Sequence, residues 1–306
     1  RYLSAHGWDK WPANPANPLS GVFGGITANR INTDIDNFRE KAMAYYWREM
    51  VSNMREYARE KYQKEIFVTS NGIFPYVDFN SFGLYEYNSD NGGAEIKWMP
   101  VSNGRLNGSV SLKQYYRTIL ARSRAVSGNV PLVLFIDWPT GYMDSYSAFT
   151  AEEKKNFWRI YASEAYANGL FFAFHLKTTL PQYNTAEKDG VLEFLKTFAT
   201  FFDEHGEFYT KFSNYATSVN TSVNCSYNMT TDGKKYCLHL VNHDYSGGIV
   251  PKSGFTVTVS LPIVPASVVA YSPDFTAPQT LSFSTSGGTI TINVDKLEAY
   301  DCILIQ

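Results

Sequence analysis

The sequence predicts two fold classes in one chain, an α/β region that reads as part of a (β/α) barrel and an all-β region that reads as an antiparallel β-sandwich. Three observations lead there. Four short apolar runs lie between residues 65 and 177, and segments of helical spacing follow the second, third and fourth, the last ending near residue 204. Polar residues gather where each run ends: Asn71, Glu86, Asp137 with Trp138, and His175 with Lys177. From about Tyr215 the helical spacing stops, and short β-branched runs separated by Gly, Pro and Asp turns take over.

Residues 1 to about 33 carry Pro, Gly and Asn at high density without a lasting period, so they read as one long leading loop. From Asp34 to Tyr62 the spacing of Phe38, Ala42, Tyr45, Tyr46, Met50 and Met54 predicts a helix, with Asp34 or Asp36 as its cap. EIFVTSNG (65–72) is the first apolar strand and SFGLYEYN (81–88) the second, followed after a long loop by a helix over 111–126. NVPLVLFIDWP (129–139) is the third strand, and Thr150 with Glu153 forms a capping box for the helix after it. GLFFAFHLK (169–177) is the fourth, followed by a helix over about 187–204.

Strands apolar on both faces and separated by amphipathic helices imply a parallel sheet covered by helices. Such sheets carry their chemistry at the carboxyl ends of the strands. An open doubly wound sheet would place a phosphate-cradling glycine loop after its first strand; neither GxGxxG nor a P-loop is present, which favours the barrel. Four strand–helix units are half of the eight a barrel needs, so the expectation is a partial (half) TIM-type barrel. The boundary with the sandwich falls near residue 212, giving a barrel portion over 1–212 and a β-sandwich over 213–306 of six to eight strands. That sandwich reads as an appendage covering one flank of the barrel or as a sugar-binding module.

Composition narrows the function. With 27 Lys plus Arg against 29 Asp plus Glu, the formal charge is -2, and no basic stripe exists to follow a phosphate backbone; nucleic acid is not an expected partner. No apolar run is long enough to span a bilayer. Aromatic residues make up 16% of the chain beside abundant Asn, Ser, Thr and Gly, a composition suited to a neutral polar ligand such as a sugar. Neither a cofactor nor a metal is expected, because HExxH, paired CxxC and a calcium-loop pattern are missing, and no GxSxG elbow announces a serine hydrolase. Cys225, Cys237 and Cys302 leave at least one thiol unpaired; Cys225 and Cys237 either bridge or stay reduced. Sequons at Asn107, Asn220, Asn224 and Asn228, with an amino end that looks processed, suggest a secreted protein, extracellular or periplasmic.

The order of strands with polar ends, followed by a small β region containing LHLVN, VSLP, AYSPD and LEAYDCILIQ, resembles the carboxyl half of barrel glycoside hydrolases, most closely the dextranase and cycloisomaltooligosaccharide glucanotransferase group. The resemblance covers about residues 34–306 and implies that the four strands correspond to barrel strands 5 to 8. It implies Glu86 as the acid/base after strand 6, and a leading loop that resembles the one after strand 4. The nucleophilic Asp that such enzymes carry after strand 4 has no visible counterpart here.

The residues can also be weighed by their chemistry. Glycoside hydrolysis needs two carboxyl groups, one protonated to donate to the leaving oxygen and one charged. Glu86, flanked by Tyr85 and Tyr87, sits where an apolar run meets a polar loop, and partial desolvation there would raise its pKa. Asp137 is the next carboxylate of the same kind, either a second catalytic group, a ligand for sugar hydroxyls or a structural cap before Pro139. Trp138, Trp98, Trp8 and Trp11 offer flat faces for a pyranose ring or serve as loop anchors. Asn71 can donate to a hydroxyl, although Asn-Gly is first a turn signal, and His175 and Lys177 share a strand face. Asp78 and Asp90 are reserve carboxylates. The expected function is a glycosidase, or its carboxyl-terminal portion, acting on a neutral polysaccharide or oligosaccharide. The alternatives are a non-catalytic glycan-binding protein and a structural subunit whose barrel is completed by a second chain or an amino-terminal segment.

Overall fold

The fold is taken from a computed structural model that describes residues 28–83, 105–106, 110–135, 150–173, 190–246 and 248–306. The chain divides into two compact units, one running to Val68 with Phe74–Asp78 added, the other made of Thr69–Ile73 and Phe79–Gln306.

In the first unit, helix α1 (Ala28–Tyr62) begins earlier than expected, so residues 28–33 are not loop. No Gly or Pro lies between Gly25 and Tyr62, so nothing interrupts the hydrogen-bond ladder, and Asp34 and Asp36 fall inside the helix instead of capping it. Val51, Val68 and Val77 form a small core, with Trp47, Ile66 and Phe74 packed against it and the Trp47 and Phe74 rings 4.8 Å apart. That core explains why Glu65–Val68 is not the strand its apolarity suggested: Ile66 and Val68 are used for packing, and ladder pairing starts only at Thr69.

The second unit opens with β1 (Thr69–Asn71) and β2 (Phe79–Gly83), followed by a short hairpin of β3 (Arg105–Leu106) and β4 (Val110–Ser111). Helix α2 (Leu112–Ser127) buries Leu112, Tyr115, Tyr116, Ile119, Leu120 and Ser123, one face at helical spacing. Strand β5 (Leu132–Phe135), helix α3 (Ala151–Ala167), strand β6 (Phe171–Ala173) and helices α4 (Val191–Glu204) and α5 (Glu207–Thr210) follow. The capping box is formed: the Glu153 N–H donates to Thr150 Oγ1 at 3.2 Å, and the Thr150 N–H to Glu153 Oε2 at 2.8 Å. The strands lie in the order β1-β2-β5-β6, all parallel. Among the described residues β1 and β6 each pair on one side only.

Ten strands make up the remainder: β7 (Ser213–Asn214), β8 (Val219–Thr221), β9 (Ser226–Thr231), β10 (Tyr236–Val241), β11 (Lys252–Ser260), β12 (Val268–Tyr271), β13 (Gln279–Thr280), β14 (Phe283–Ser286), β15 (Thr289–Leu297) and β16 (Tyr300–Ile305). They form a six-stranded sheet, β13-β12-β16-β10-β9-β7, and a four-stranded one, β14-β15-β11-β8, antiparallel throughout. One apolar cluster takes Leu238, Leu240, Ile303 and Ile305 from the first sheet with Val257, Val259, Ile290 and Ile292 from the second. The architecture is mixed α/β, a four-stranded parallel sheet followed by antiparallel sheets, consistent with a partial barrel plus a β-sandwich.

The two central strands of the six-stranded sheet are buried along their whole length. Even residues of β10 point to the other sheet, whereas Cys237, Val241, Cys302 and Leu304 join a second cluster with Phe157 and Tyr161 of α3. Helix α3 is therefore covered around most of its circumference, not amphipathic in the usual sense. All three cysteines are reduced. Cys237 belongs to the cluster shared with the helices and Cys225 packs against the cluster between the sheets, so of the two alternatives the pair takes the reduced one.

Candidate functional site

The carboxyl edge of the parallel sheet is set by register. Gly83 of β2 lies level with Phe135 of β5, which lies level with Ala173 of β6; Asn71, the last residue of β1, pairs with Ser81. Below this edge a buried polar network locks β1 to β2. Ser70 Oγ donates to Asn80 Oδ1 at 2.9 Å, and Asn80 Nδ2 donates to Ser127 Oγ at 2.7 Å and Ser123 Oγ at 3.3 Å on α2. The Ser81 hydroxyl closes on the Ser70 carbonyl. Gly72 then turns the chain out of β1 with φ 119, a conformation a side chain would strain, while its N–H donates to the Ser81 carbonyl at 2.7 Å. The Asn-Gly pair is thus a turn, as its sequence first suggests.

Of the expected site residues, Asn71 is placed at the strand end. Glu86, Tyr85, Trp98, Asp137, Trp138, His175 and Lys177 lie outside the described residues, as do Trp8, Trp11 and Asp90. Asp78 is not a reserve acid. Its Oδ2 accepts the Val68 N–H at 2.6 Å and its Oδ1 the Arg55 guanidinium at 2.8 Å. The Val68 hydrogen bond, helped by Arg55 and opposed by desolvation, holds its carboxyl below the ordinary value. A carboxylate held charged this way ties the Ile66–Val68 segment to α1.

Sequence reasoning passed over the largest buried ionic cluster in the molecule's described part. Glu164 of α3 is 1% exposed; its Oε2 is 2.9 Å from His243 Nε2, and its Oε1 accepts from Asn168 Nδ2 at 2.7 Å and Ser226 Oγ at 3.0 Å. Burial opposes the charge, but the His243 contact, the Asn168 amide and the charge of Lys113 outweigh it and hold the carboxyl below its ordinary value. Lys113 donates to the Tyr227 carbonyl and lies 4.5 Å from the centre of that ring. Arg117 joins Asn168 at 3.0 Å to Asn228 at 2.8 Å. With Glu164 Oε1 hydrogen-bonded to Asn168 and Ser226 and Oε2 in contact with His243, the arrangement can weld α2 and α3 to β9 and the segment after β10. Glu164 and Asn168, one turn apart at the carboxyl end of α3, where Asn168 is the C-cap, are its sequence signal.

A second polar cluster borders a cavity of about 180 Å³ lined by Glu152, Asn156, Arg159, Gly248, Ile249, Pro251 and Glu298. Arg159 pairs with Asp274 at 2.7 Å and Glu298 at 3.3 Å. The volume is below the roughly 300 Å³ at which ligand pockets usually begin. Among the described residues no group of three His, Cys, Asp or Glu side chains could hold a metal ion, and no helix is long and apolar enough to cross a membrane.

No family model and no curated protein matches the chain. Solved structures similar to it include a cycloisomaltooligosaccharide glucanotransferase from Paenibacillus sp. complexed with cycloisomaltoheptaose, at 13% identity and a TM-score of 0.40, covering 48% of this chain and 26% of that one. An α-fucosidase from Thermotoga maritima in complex with fucose follows at 12% identity and TM-score 0.42, covering 85% of this chain and 49% of that one. A noncanonic maltogenic α-amylase from Thermotoga neapolitana shows 11% identity and TM-score 0.44 over 83% of this chain and 65% of that one. The chain thus spans about a quarter to two thirds of these proteins. Likenesses this low carry no argument about its activity.

Proposed function

We propose that the chain is the carboxyl-terminal portion of a secreted glycoside hydrolase, acting on a neutral polysaccharide or oligosaccharide with Glu86 as general acid/base. One observation carries the reading. Gly83, Phe135 and Ala173 are level across three adjacent parallel strands, and Glu86, Asp137 and His175 follow them in the sequence by three, two and two residues. Neighbouring strands run about 4.8 Å apart, so two carboxylates leaving adjacent strand ends suit the roughly 5–9 Å that glycoside hydrolysis requires.

In this reading Glu86, in its protonated form, donates to the glycosidic oxygen as the bond to the anomeric carbon breaks. Asp137 holds a hydroxyl or the attacking water. Trp98, Trp138 and Tyr85 offer apolar faces to sugar rings, and Asn71, His175 and Lys177 bind hydroxyls. The test is reducing-sugar release by the full chain from a panel of neutral glycans, comparing wild type with Glu86→Gln. A loss of about 10²–10⁴ in rate with an unchanged circular dichroism spectrum is expected; equal turnover would overturn the assignment. Oligosaccharide binding without release by the wild type favours a non-catalytic glycan-binding protein instead. The pairing of β1 and β6 on one side only among the described residues favours completion of the sheet by a further segment or second chain, and sedimentation of the native protein would detect a second chain.

A further inference from the structure

We propose that Asn220 and Asn224 are N-glycan attachment sites and that Asn228, in the same stretch, is closed to the modification. The sequence alone treats the three alike, as Asn-Thr-Ser, Asn-Cys-Ser and Asn-Met-Thr sequons. The fold separates them. Asn220 is the middle residue of β8, an edge strand that pairs only with β11 among the described residues. Val219 packs against the cluster between the sheets, and strand alternation turns Asn220 to the opposite, exposed side. Asn224 is exposed in the bend between β8 and β9.

Asn228 is 5% exposed and fully engaged. Its Nδ2 donates to the Ala167 carbonyl at 2.7 Å and to Asn214 Oδ1 at 2.9 Å, and its Oδ1 accepts from Arg117 at 2.8 Å. The transfer forms a bond from the amide nitrogen to the anomeric carbon of a lipid-linked oligosaccharide; the lipid pyrophosphate leaves, and the amide gives up one proton. At Asn228 that reaction removes an N–H the fold uses and puts a sugar where Ala167 and Asn214 sit. Because transfer precedes folding, a chain modified there cannot complete the junction between α3 and β9. At Asn220 and Asn224 the sugar projects into solvent and covers the free edge of β8, a place where unpaired backbone groups invite association.

The proposal rests on export of the chain and is independent of its activity. The full chain is expressed behind a secretion signal in a eukaryotic host, in an Asn107→Gln background, and the soluble secreted protein is treated natively with peptide N-glycosidase in heavy-oxygen water. Peptide mapping is expected to find labelled Asp at 220 and 224 and unmodified Asn at 228. Asn220→Gln and Asn224→Gln, both at exposed positions, should each remove one step of a two-step mass ladder. Label at 228 in the soluble monomer, or a secreted protein without glycan at 220 and 224, overturns it.

Discussion

Strand β16 sends Ile303 into the cluster between the two antiparallel sheets and the next residue, Leu304, into the cluster shared with the helices. Strand β5 behaves differently: Leu132 and Leu134 are fully buried against α2 and α3, whereas Val133, between them, is only half-buried. Strand β6 repeats that pattern, with Phe172 buried and Phe171 and Ala173 partly open. The antiparallel region has both faces of its central strands covered; the parallel region, among the described residues, has one. A strand apolar on both faces is the signature of a sheet covered on both sides.

The two regions are joined through Glu164, so the largest expected effect is there. Glu164→Ala leaves His243 without its partner, removes the acceptor of the Asn168 amide and Ser226 hydroxyl, and takes away the charge opposite Lys113. Breaking a buried pair in this way costs about 3–5 kcal/mol. Denaturant unfolding should show that loss, with separate transitions for the two regions replacing a shared one; an unchanged midpoint would mean that the weld is not what couples them. The pH dependence has a definite sign. Folding lowers the Glu164 pKa from its ordinary 4.5, so the stabilisation is fully present above that value and is lost as pH falls through the folded one. The wild type should lose stability on acidification more steeply than Glu164→Gln.

Paired truncations test the difference in burial directly. Ile303→Ala and Leu304→Ala, on opposite faces of one strand, should each cost about 2–5 kcal/mol. Leu134→Ala should fall in the same range, whereas Val133→Ala should stay under about 1.5 kcal/mol because its face is not fully covered. Equal losses at Leu134 and Val133, measured by urea titration, would show that something fills the second face and would erase the contrast.

These contrasts explain what was legible in the sequence. In β11 and β15, alternating residues such as Val257, Val259, Ile290 and Ile292 mark one inward face and local turns end the runs, so period and boundary are both written in the residues. The parallel strands carry no such marks. Apolar Ile66 and Val68 read as strand but pack against α1, while polar Ser70 and Asn80 lie inside the sheet because each finds a partner on a different element. Partners distant in sequence also hid Glu164, whose His243 lies in the β region. Of the candidate site, the sequence showed which residues follow the strand ends, and the structure adds that three of those ends are level.

A smaller effect separates charge burial in the antiparallel region from that at the weld. Asp301 of β16 is fully buried, and neither carboxyl oxygen has a hydrogen-bond partner. Burial, reinforced by the negative charges of Asp274 and Glu298, pushes its pKa well above the ordinary value; the Ser272 hydroxyl opposes this but is already given to the Tyr300 carbonyl at 2.5 Å. A carboxyl whose pKa rises on folding stabilises least where it must be charged. Its contribution is therefore intact below 3.8 and declines as pH rises toward the folded value, the reverse of Glu164. Asp301→Asn should remove that decline, leaving the variant more stable than wild type by about 1–3 kcal/mol at the alkaline end of the window. A variant whose stability tracks wild type across pH would show that the Asp301 pKa does not rise on folding.

The smallest expected effect lies at the start of α3, where the chain returns from the segment containing Asp137. Thr150→Ala removes the side-chain acceptor of the Glu153 N–H while leaving Glu153 able to accept from the Thr150 backbone, so half of the capping box survives. The cost should be about 1 kcal/mol. Because α3 packs against both the parallel sheet and the six-stranded antiparallel sheet, its first turn is a place where the two regions respond together. Combining Thr150→Ala with Leu134→Ala and separately with Ile303→Ala turns that into a measurement. Sites with no shared partners add within about 0.5 kcal/mol. Additivity in both pairs would mean that the cap acts locally on α3. Coupling to Leu134 alone would mean that the helix start belongs energetically to the parallel sheet, the layer whose carboxyl edge precedes it.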